Sequence, residues 1–196
     1  MITCIVDIDT QFFLFLNGLH ADWLDPVFYY ISQIYTWIPL YLLVLFLIIK
    51  KWGKRSLIII PLLILTIVCT DQSCNIIKRT VQRERPSHCS EISAETHLVS
   101  DTSGELYRGG HYGFPSAHAA NSIAFVLFFI FFVAQKKKWL MASAILWSLL
   151  MAYSRIYLGV HYPLDILCGL ILGCCWSLLG IWVFFRYGNK CFLKKE

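Results

Sequence analysis

This sequence predicts an all-α fold: a polytopic bundle of five or six transmembrane helices whose functional residues collect on the outer face. Three observations predict it. Of the 196 residues, 58% are hydrophobic and 15% charged, a balance too apolar for a water-soluble domain of this length. Five apolar runs, at 26–49, 56–77, 115–135, 139–155 and 163–185, reach or approach the roughly 20 residues that a helix needs to cross a hydrocarbon core. The basic residues between the runs concentrate in three segments that five crossings place on one side.

The N-terminal stretch Met1 to Leu24 carries Asp7, Asp9 and Asp22 and no Lys or Arg, unlike the basic start of a cleavable signal peptide. Within it, TQFFLFLNGLHADWLD is expected to lie as a helix in the headgroup layer, with a shallow sixth membrane segment as the alternative. The run 26–49 has no charge, and Pro39 is expected to kink it. The run 56–77 holds Asp71 in its outer half. The run 115–135 opens at Pro115, suited to a first helical turn because its missing N–H costs nothing there. The run 139–155 is short, and 163–185 opens at Pro163. No repeat, low-complexity tract or linker divides the chain. One membrane-embedded domain is therefore expected over 1–196, with an interfacial segment at 1–25, a helical core at 26–187 and a cytoplasmic tail at 188–196.

Orientation follows from charge, because Lys and Arg near helix ends are retained on the cytoplasmic side. Lys50, Lys51, Lys54 and Arg55 fill one linker, Lys136, Lys137 and Lys138 another, and Arg186, Lys190, Lys194 and Lys195 the tail. A multi-pass protein of the inner (plasma) membrane is expected. Its periplasmic or extracytoplasmic face then holds the N-terminus, the polar segment 79–114 and the turn around Leu158 to Tyr162. Lys78, Arg79, Arg83, Arg85, Arg108 and Arg155 lie on that face, where topology does not ask for them. The net charge of +5 is thus mostly topological, and without a block of basic and aromatic residues a nucleic-acid partner is excluded. Of eight cysteines, Cys69, Cys74, Cys168, Cys174 and Cys175 fall in expected helices as small apolar groups, and no CxxC spacing occurs. Cys4 and Cys89 both fall on the outer face, which leaves a disulfide open.

Three clusters meet the outer face at helix ends: KRTVQRERP with Lys78 and Arg85, GFPSAH with Ser116 and His118, and SRIYLGVHYPLD with Arg155, His161 and Asp165. Lys78, Arg85 and Arg155 are expensive near a membrane unless an anion or acids neutralise them, and the nearby acids are few: Glu84, Asp71 and Asp165. Two guanidinium forks and an ammonium suit the oxygens of a phosphoryl group. A helix starting at Pro115 adds backbone N–H groups near Ser116, Ala117 and His118. His161 and Asp165 are four apart at a helix start, so the carboxylate can fix one ring nitrogen and leave the other to attack. His118 can protonate a leaving alkoxide and later activate water. Singly, each has a plain structural explanation: a snorkelling Arg, an ordinary helix start, a hydrogen-bonded His. Together they form a nucleophile, an acid, an orienter and an anion cradle. No metal site is expected, and His88, His97 and His111 are assigned to the polar loop.

KRTVQRERP, PSAH and SRIYLGVHYPLD resemble, in order and spacing, the three signatures of the type 2 phosphatidic acid phosphatase superfamily, a family of membrane lipid phosphate phosphatases. The stretch HADWLDPVFYYIS also looks like small bacterial members. The resemblance implies that His161 is a nucleophile forming a phosphohistidine, assisted by Asp165, with His118 as general acid. It implies that Lys78, Arg85, Ser116, Arg155 and the backbone at Ala117 bind phosphate, with no metal ion and no cofactor. Ala117 departs from the Gly usual before that His; its methyl group still allows a backbone N–H contact in a helix. The implied substrate is a phosphorylated membrane lipid: undecaprenyl diphosphate, phosphatidylglycerol phosphate, phosphatidic acid or lipid A phosphate. Its tail would lie between helices, with the segment Ser87 to Gly110 covering or selecting the headgroup. A non-catalytic lipid-binding protein of the same fold is the alternative; the haloperoxidases that share these motifs are soluble.

Overall fold

The computed structural model of the chain describes residues 2–188, with side chains from Val6 onward; Cys4, Lys190, Lys194 and Lys195 lie outside the described side chains. Helices α1 (Ile2–Asn17), α2 (Asp25–Ser32), α3 (Ile38–Trp52), α4 (Ser56–Val81), α5 (Ala117–Phe129), α6 (Lys138–Tyr157) and α7 (Pro163–Val183) make up the described residues apart from short turns, π-helical turns at Ile130–Ala134 and Phe184–Gly188, and the polar segment between α4 and α5. That segment contributes two isolated bridges, Glu84 with Tyr112 and Ser100 with Leu106.

Among the described residues, four stretches are long and apolar enough to cross a membrane: Ile34–Val81, Ala117–Ala134, Lys138–Tyr157 and Pro163–Gly188. The first contains two helices, because Gly53 turns the chain at φ +51° between α3 and α4, which then pack together. A side chain at that φ is disfavoured, so glycine suits this turn. Large apolar residues such as Leu42, Phe46, Leu57, Ile64, Leu146 and Ile171 are exposed on the outside of the bundle, as a lipid-facing surface requires.

The run expected over 26–49 is divided. α2 ends at Ser32, Gln33 is extended at φ −84° and ψ 133°, and one tight turn over Ile34–Trp37 leads into α3. The indole of Trp37 donates to the Ile31 carbonyl at 2.7 Å, which satisfies a backbone group freed by the break. Pro39 sits in the first turn of α3, so the expected kink does not form. The N-terminal helix also begins earlier than expected. α1 takes in Asp9 and packs on α6 and α7, with Phe13 fully buried.

The two ends of the bundle differ. At one end Lys51 Nζ donates to Val133 O at 2.9 Å and Trp52 Nε1 to Phe132 O at 2.8 Å, which joins the first two basic linkers. The end of α7 joins them: Trp52, Phe132 and Phe184 stack edge to face. The opposite end carries the turn between α6 and α7, the start of α5 and the polar segment, over a cluster of Phe13, Ala119, Ala152, Ile156, Tyr162 and Ile166.

Between the ends, α5 and α7 approach closely. Gly169, Gly173, Ser177 and Gly180 form a small-residue stripe along α7 and are all buried. A Cβ on Gly169 would collide with the Ser116 carbonyl, and one on Gly173 with the Ala120 carbonyl. Small residues at such spacing let membrane helices meet backbone to backbone, where lipid supplies no hydrophobic drive.

Candidate active site

The turn from α6 to α7 is closed by its own backbone. The Arg155 carbonyl accepts from Val160 N at 3.1 Å and His161 N at 3.2 Å. Gly159 makes the bend at φ +70°, where a Cβ would press on the backbone of His97 at 2.8 Å. The fold thereby brings Arg155, His161 and Asp165 together, as the sequence predicts. All three are buried, at 1%, 1% and 0% exposure. Nδ1 of His161 lies 3.3 Å from Oδ2 of Asp165, which also accepts the Tyr162 N–H at 3.0 Å.

The second cluster docks on the third through backbone. Ser116 N–H donates to the Asp165 carbonyl at 2.9 Å, and Ser116 is the extended residue that caps α5. This corrects the expectation for Pro115: the helix starts at Ala117, so the proline precedes the cap. It also removes the Ser116 N–H from the anion-binding set. The first-turn N–H groups at Ala117 and His118 have no intrahelical partner, and Ala117 adopts the helical backbone that its methyl group needs. The Ser116 hydroxyl is fully buried and has no hydrogen-bond partner among the described residues.

The first cluster reaches the same place through an extended strand-like stretch. Arg85 N donates to His111 O at 3.1 Å and Gly113 N to Arg83 O at 2.9 Å. Extended residues alternate sides: Glu84 turns outward to His111 at 3.2 Å, while Arg83 and Arg85 turn inward. Arg85 Nε is fixed on Tyr112 O at 3.1 Å. Lys78, in the last turn of α4, is in electrostatic reach of Arg85 and Arg155. His118 is in reach of Arg155, His161, Arg85 and Lys78. The structure therefore gathers the sequence-predicted residues at one end of the bundle: Lys78, Arg85, His118, Arg155 and His161 within electrostatic reach of one another, Asp165 on His161, and Ser116 and Ala117 beside His118.

Among the described residues, no carboxylate pairs with Lys78, Arg85 or Arg155. Arg155 donates to the Ser32 hydroxyl and to Tyr107 OH, the latter at 3.1 Å, and its Nε is buried without a partner. Burial, with the charge of Arg155 beside it, lowers the Arg85 guanidinium to about 10, still cationic at neutral pH. Burial, and then the charges of Arg85, Arg155 and Lys78, hold the His161 ring well below the usual imidazole range. A neutral imidazole with one nitrogen on a carboxylate, ringed by cations with unpartnered donors, is arranged to meet an electrophilic anion.

Residues 56–189 match the PAP2 superfamily. A lipid A 4'-phosphatase of Bacteroides thetaiotaomicron is 37% identical over 192 residues, covering 97% of this chain and 81% of that protein. The lipid A 4'-phosphatase of Porphyromonas gingivalis is 37% identical over 173 residues, covering 86% of this chain and 70% of that protein. The chain belongs to the PAP2 superfamily. The crystal structure of a transmembrane PAP2-type phosphatidylglycerolphosphate phosphatase from Bacillus subtilis superposes with a TM-score of 0.70 at 19% identity, over 94% of this chain and 88% of that one, so the fold is shared as well. The protein is a multi-pass, all-helical membrane protein of that family.

Several residues of this PAP2 site do not stand out in the sequence. Arg83 donates to Asp165 Oδ1 at 3.0 Å and to Asp9 Oδ2 at 2.7 Å. Its only sequence signal is its place on the outer face among basic residues that topology leaves unexplained. Asp9 carries no signal, 74 positions away in an apparently interfacial stretch. Ser32 and Tyr107 hold Arg155, and neither belongs to a motif. Gly113 admits no side chain: a Cβ would stand 2.9 Å from Asp165 Oδ2 and 3.1 Å from Arg85 Cγ. Of the acids expected near the cations, Asp165 lies on His161 and Asp71 is within electrostatic reach of Lys78. Glu84 is on His111, and Asp71 accepts from Asn75 at 2.9 Å. His97 is more than a loop residue, being paired to Asp25 at 3.0 Å and stacked on His20.

A cavity of about 420 Å³ runs from Ala117 and His118 down between α3, α4, α5 and α6, walled by Tyr41, Leu63, Ile67, Phe125 and Met151. Its walls are largely apolar, with Asp71 and Asn121 at the side.

Proposed function

We propose that this PAP2 enzyme, a phosphatase of membrane lipid phosphates, works through a phosphohistidine on His161, at the extracytoplasmic face of the inner membrane. The observation that carries the proposal is the buried His161 and Asp165 pair set among Lys78, Arg85 and Arg155. In the first step Nε2 of His161 attacks phosphorus, and the bond to the lipid oxygen breaks as that oxygen takes a proton from His118. In the second, His118 takes a proton from water, the hydroxide oxygen bonds to phosphorus, the P–N bond breaks and inorganic phosphate leaves. Lys78, Arg85, Arg155, the Ser116 hydroxyl and the N–H groups at the start of α5 hold the non-bridging oxygens, whose charge grows in each transition state. Asp165 balances the charge that forms on the phosphorylated ring.

The cavity beside His118 accommodates the tail. An apolar chain between helices with phosphate at their ends fits its position, and about 420 Å³ is within the usual size of a ligand pocket. Lipid A phosphate is the substrate we favour, because two relatives at 37% identity carry the name lipid A 4'-phosphatase. The test is phosphate release in detergent with EDTA present, over lipid A, undecaprenyl diphosphate, phosphatidylglycerol phosphate and phosphatidic acid. Release is expected from lipid A and not from His161→Ala. Release from the variant at the wild-type rate contradicts the mechanism, and preference for another lipid contradicts the substrate.

A further inference from the structure

We propose that Arg83 and Asp9 are positioning residues for the nucleophile, each acting through Asp165. The proposal rests on the phosphohistidine reading above and adds what holds its orienter. Neither residue is at a motif position, and Asp9 precedes the stretch 56–189 that matches the family.

The geometry is a divided fork. An Arg guanidinium commonly grips one carboxylate with two parallel bonds. Here each arm takes a different acid: Nη2 holds Asp9 Oδ2 at 2.7 Å and Nη1 holds Asp165 Oδ1 at 3.0 Å. Asp165 therefore keeps Oδ2 for His161 Nδ1 and the Tyr162 N–H. The other oxygen of Asp9 accepts the Leu164 N–H at 2.9 Å, so α1 caps α7 one residue before Asp165. Both acids are buried, at 4% and 0% exposure. The Arg83 guanidinium also lies 4.0 Å from the centre of the Tyr162 ring, next to His161 in the chain.

Charge makes the division consequential. Two carboxylates and one guanidinium leave the trio at −1, beside a ring that becomes positive when it bonds to phosphorus. Without Arg83, two buried carboxylates face each other unneutralised, a costly state that is relieved by taking up a proton or moving apart. A proton on Asp165 weakens its hold on His161, and moving apart displaces Oδ2 from the ring. Without the charge of Asp9, Arg83 is free to close both arms on Asp165 and compete with His161 for Oδ2.

The test is a cycle of Arg83→Gln, Asp9→Asn and the double variant, in detergent, on whichever of the four lipids the wild type hydrolyses. Arg83→Gln is expected to lower kcat about 100-fold with KM within about twofold, since positioning acts on the step and not on binding. Asp9→Asn, which keeps the oxygen that caps Leu164, is expected to lower kcat about fivefold. The double variant is expected to recover at least about tenfold over Arg83→Gln, because coupled charges do not add. A purely structural role for Arg83, such as packing on Tyr162, predicts no rescue. A double variant as slow as Arg83→Gln, or a loss that falls on KM, overturns the proposal. Should Arg83→Gln not fold, Asp9→Asn decides alone, and an unchanged kcat overturns it. A wild type that hydrolyses none of the lipids refutes the functional reading instead. The charge balance is then read from orthovanadate affinity by vanadium NMR, where rescue in the double variant is again expected and its absence is contrary.

Discussion

His161 is the residue on which the proposed chemistry converges, and its burial has a cost that is measurable without substrate. The folded ring is held well below the usual imidazole range, first by burial and then by Arg85, Arg155 and Lys78, whereas an unfolded His titrates near about 6.5. Between those values the unfolded chain binds a proton that the folded chain refuses. Stability therefore falls as pH drops below about 6.5, and this contribution is absent above it. The Tm of the wild type in detergent should fall more from about pH 7 to about pH 5 than that of His161→Asn. Equal falls would mean that the ring is not held neutral. The motif residues were legible because each signature is local: the His161 and Asp165 spacing alone fixes a one-turn contact. Asp9 and Arg83 were not, because their pairing spans 74 positions and obeys no periodicity.

The pair α5 and α7 decides whether the clusters meet. Ser116, the cap of α5, is tied to the backbone of Asp165 in the first turn of α7, so the separation of these two helices sets the distance from the α5 N-terminus to His161. Gly173 touches the Ala120 backbone midway along that contact. Gly173→Leu is expected to force the helices apart at a cost of about 1–3 kcal/mol and to lower phosphate release, although residue 173 is remote from the phosphate. Thermal unfolding in detergent with a parallel activity assay checks this; wild-type values for both would show that α5 and α7 are not packed as described. The boundary at Pro163 was legible from its proline, whereas Pro115 lies ahead of the cap of α5 and marks its start only to within two residues. The break after Ser32 was not legible, since no charge or proline marks Gln33 and the cause is tertiary: Ser32 is held by Arg155, from a helix more than a hundred residues on.

The whole molecule has an asymmetric division of labour. One end is sealed by Trp52, Phe132 and Phe184 beneath the basic linkers, and the other concentrates uncompensated positive charge above an apolar cavity. This polarity was legible from composition and charge placement, which is why the bundle and a site at one of its ends were predictable without knowledge of any contact. The cavity was not, because its walls come from four helices and its residues read as ordinary core. The proposed chemistry requires that a nitrogen of His161 become covalently phosphorylated. The most direct measurement is to mix enzyme with lipid carrying a labelled phosphate, quench at alkaline pH where phosphohistidine survives, and map the label by peptide mass spectrometry. Label on His161 that appears and decays within a turnover, and is absent from His161→Ala, is the predicted result. Turnover with no label on His161, or label on another residue, would contradict it.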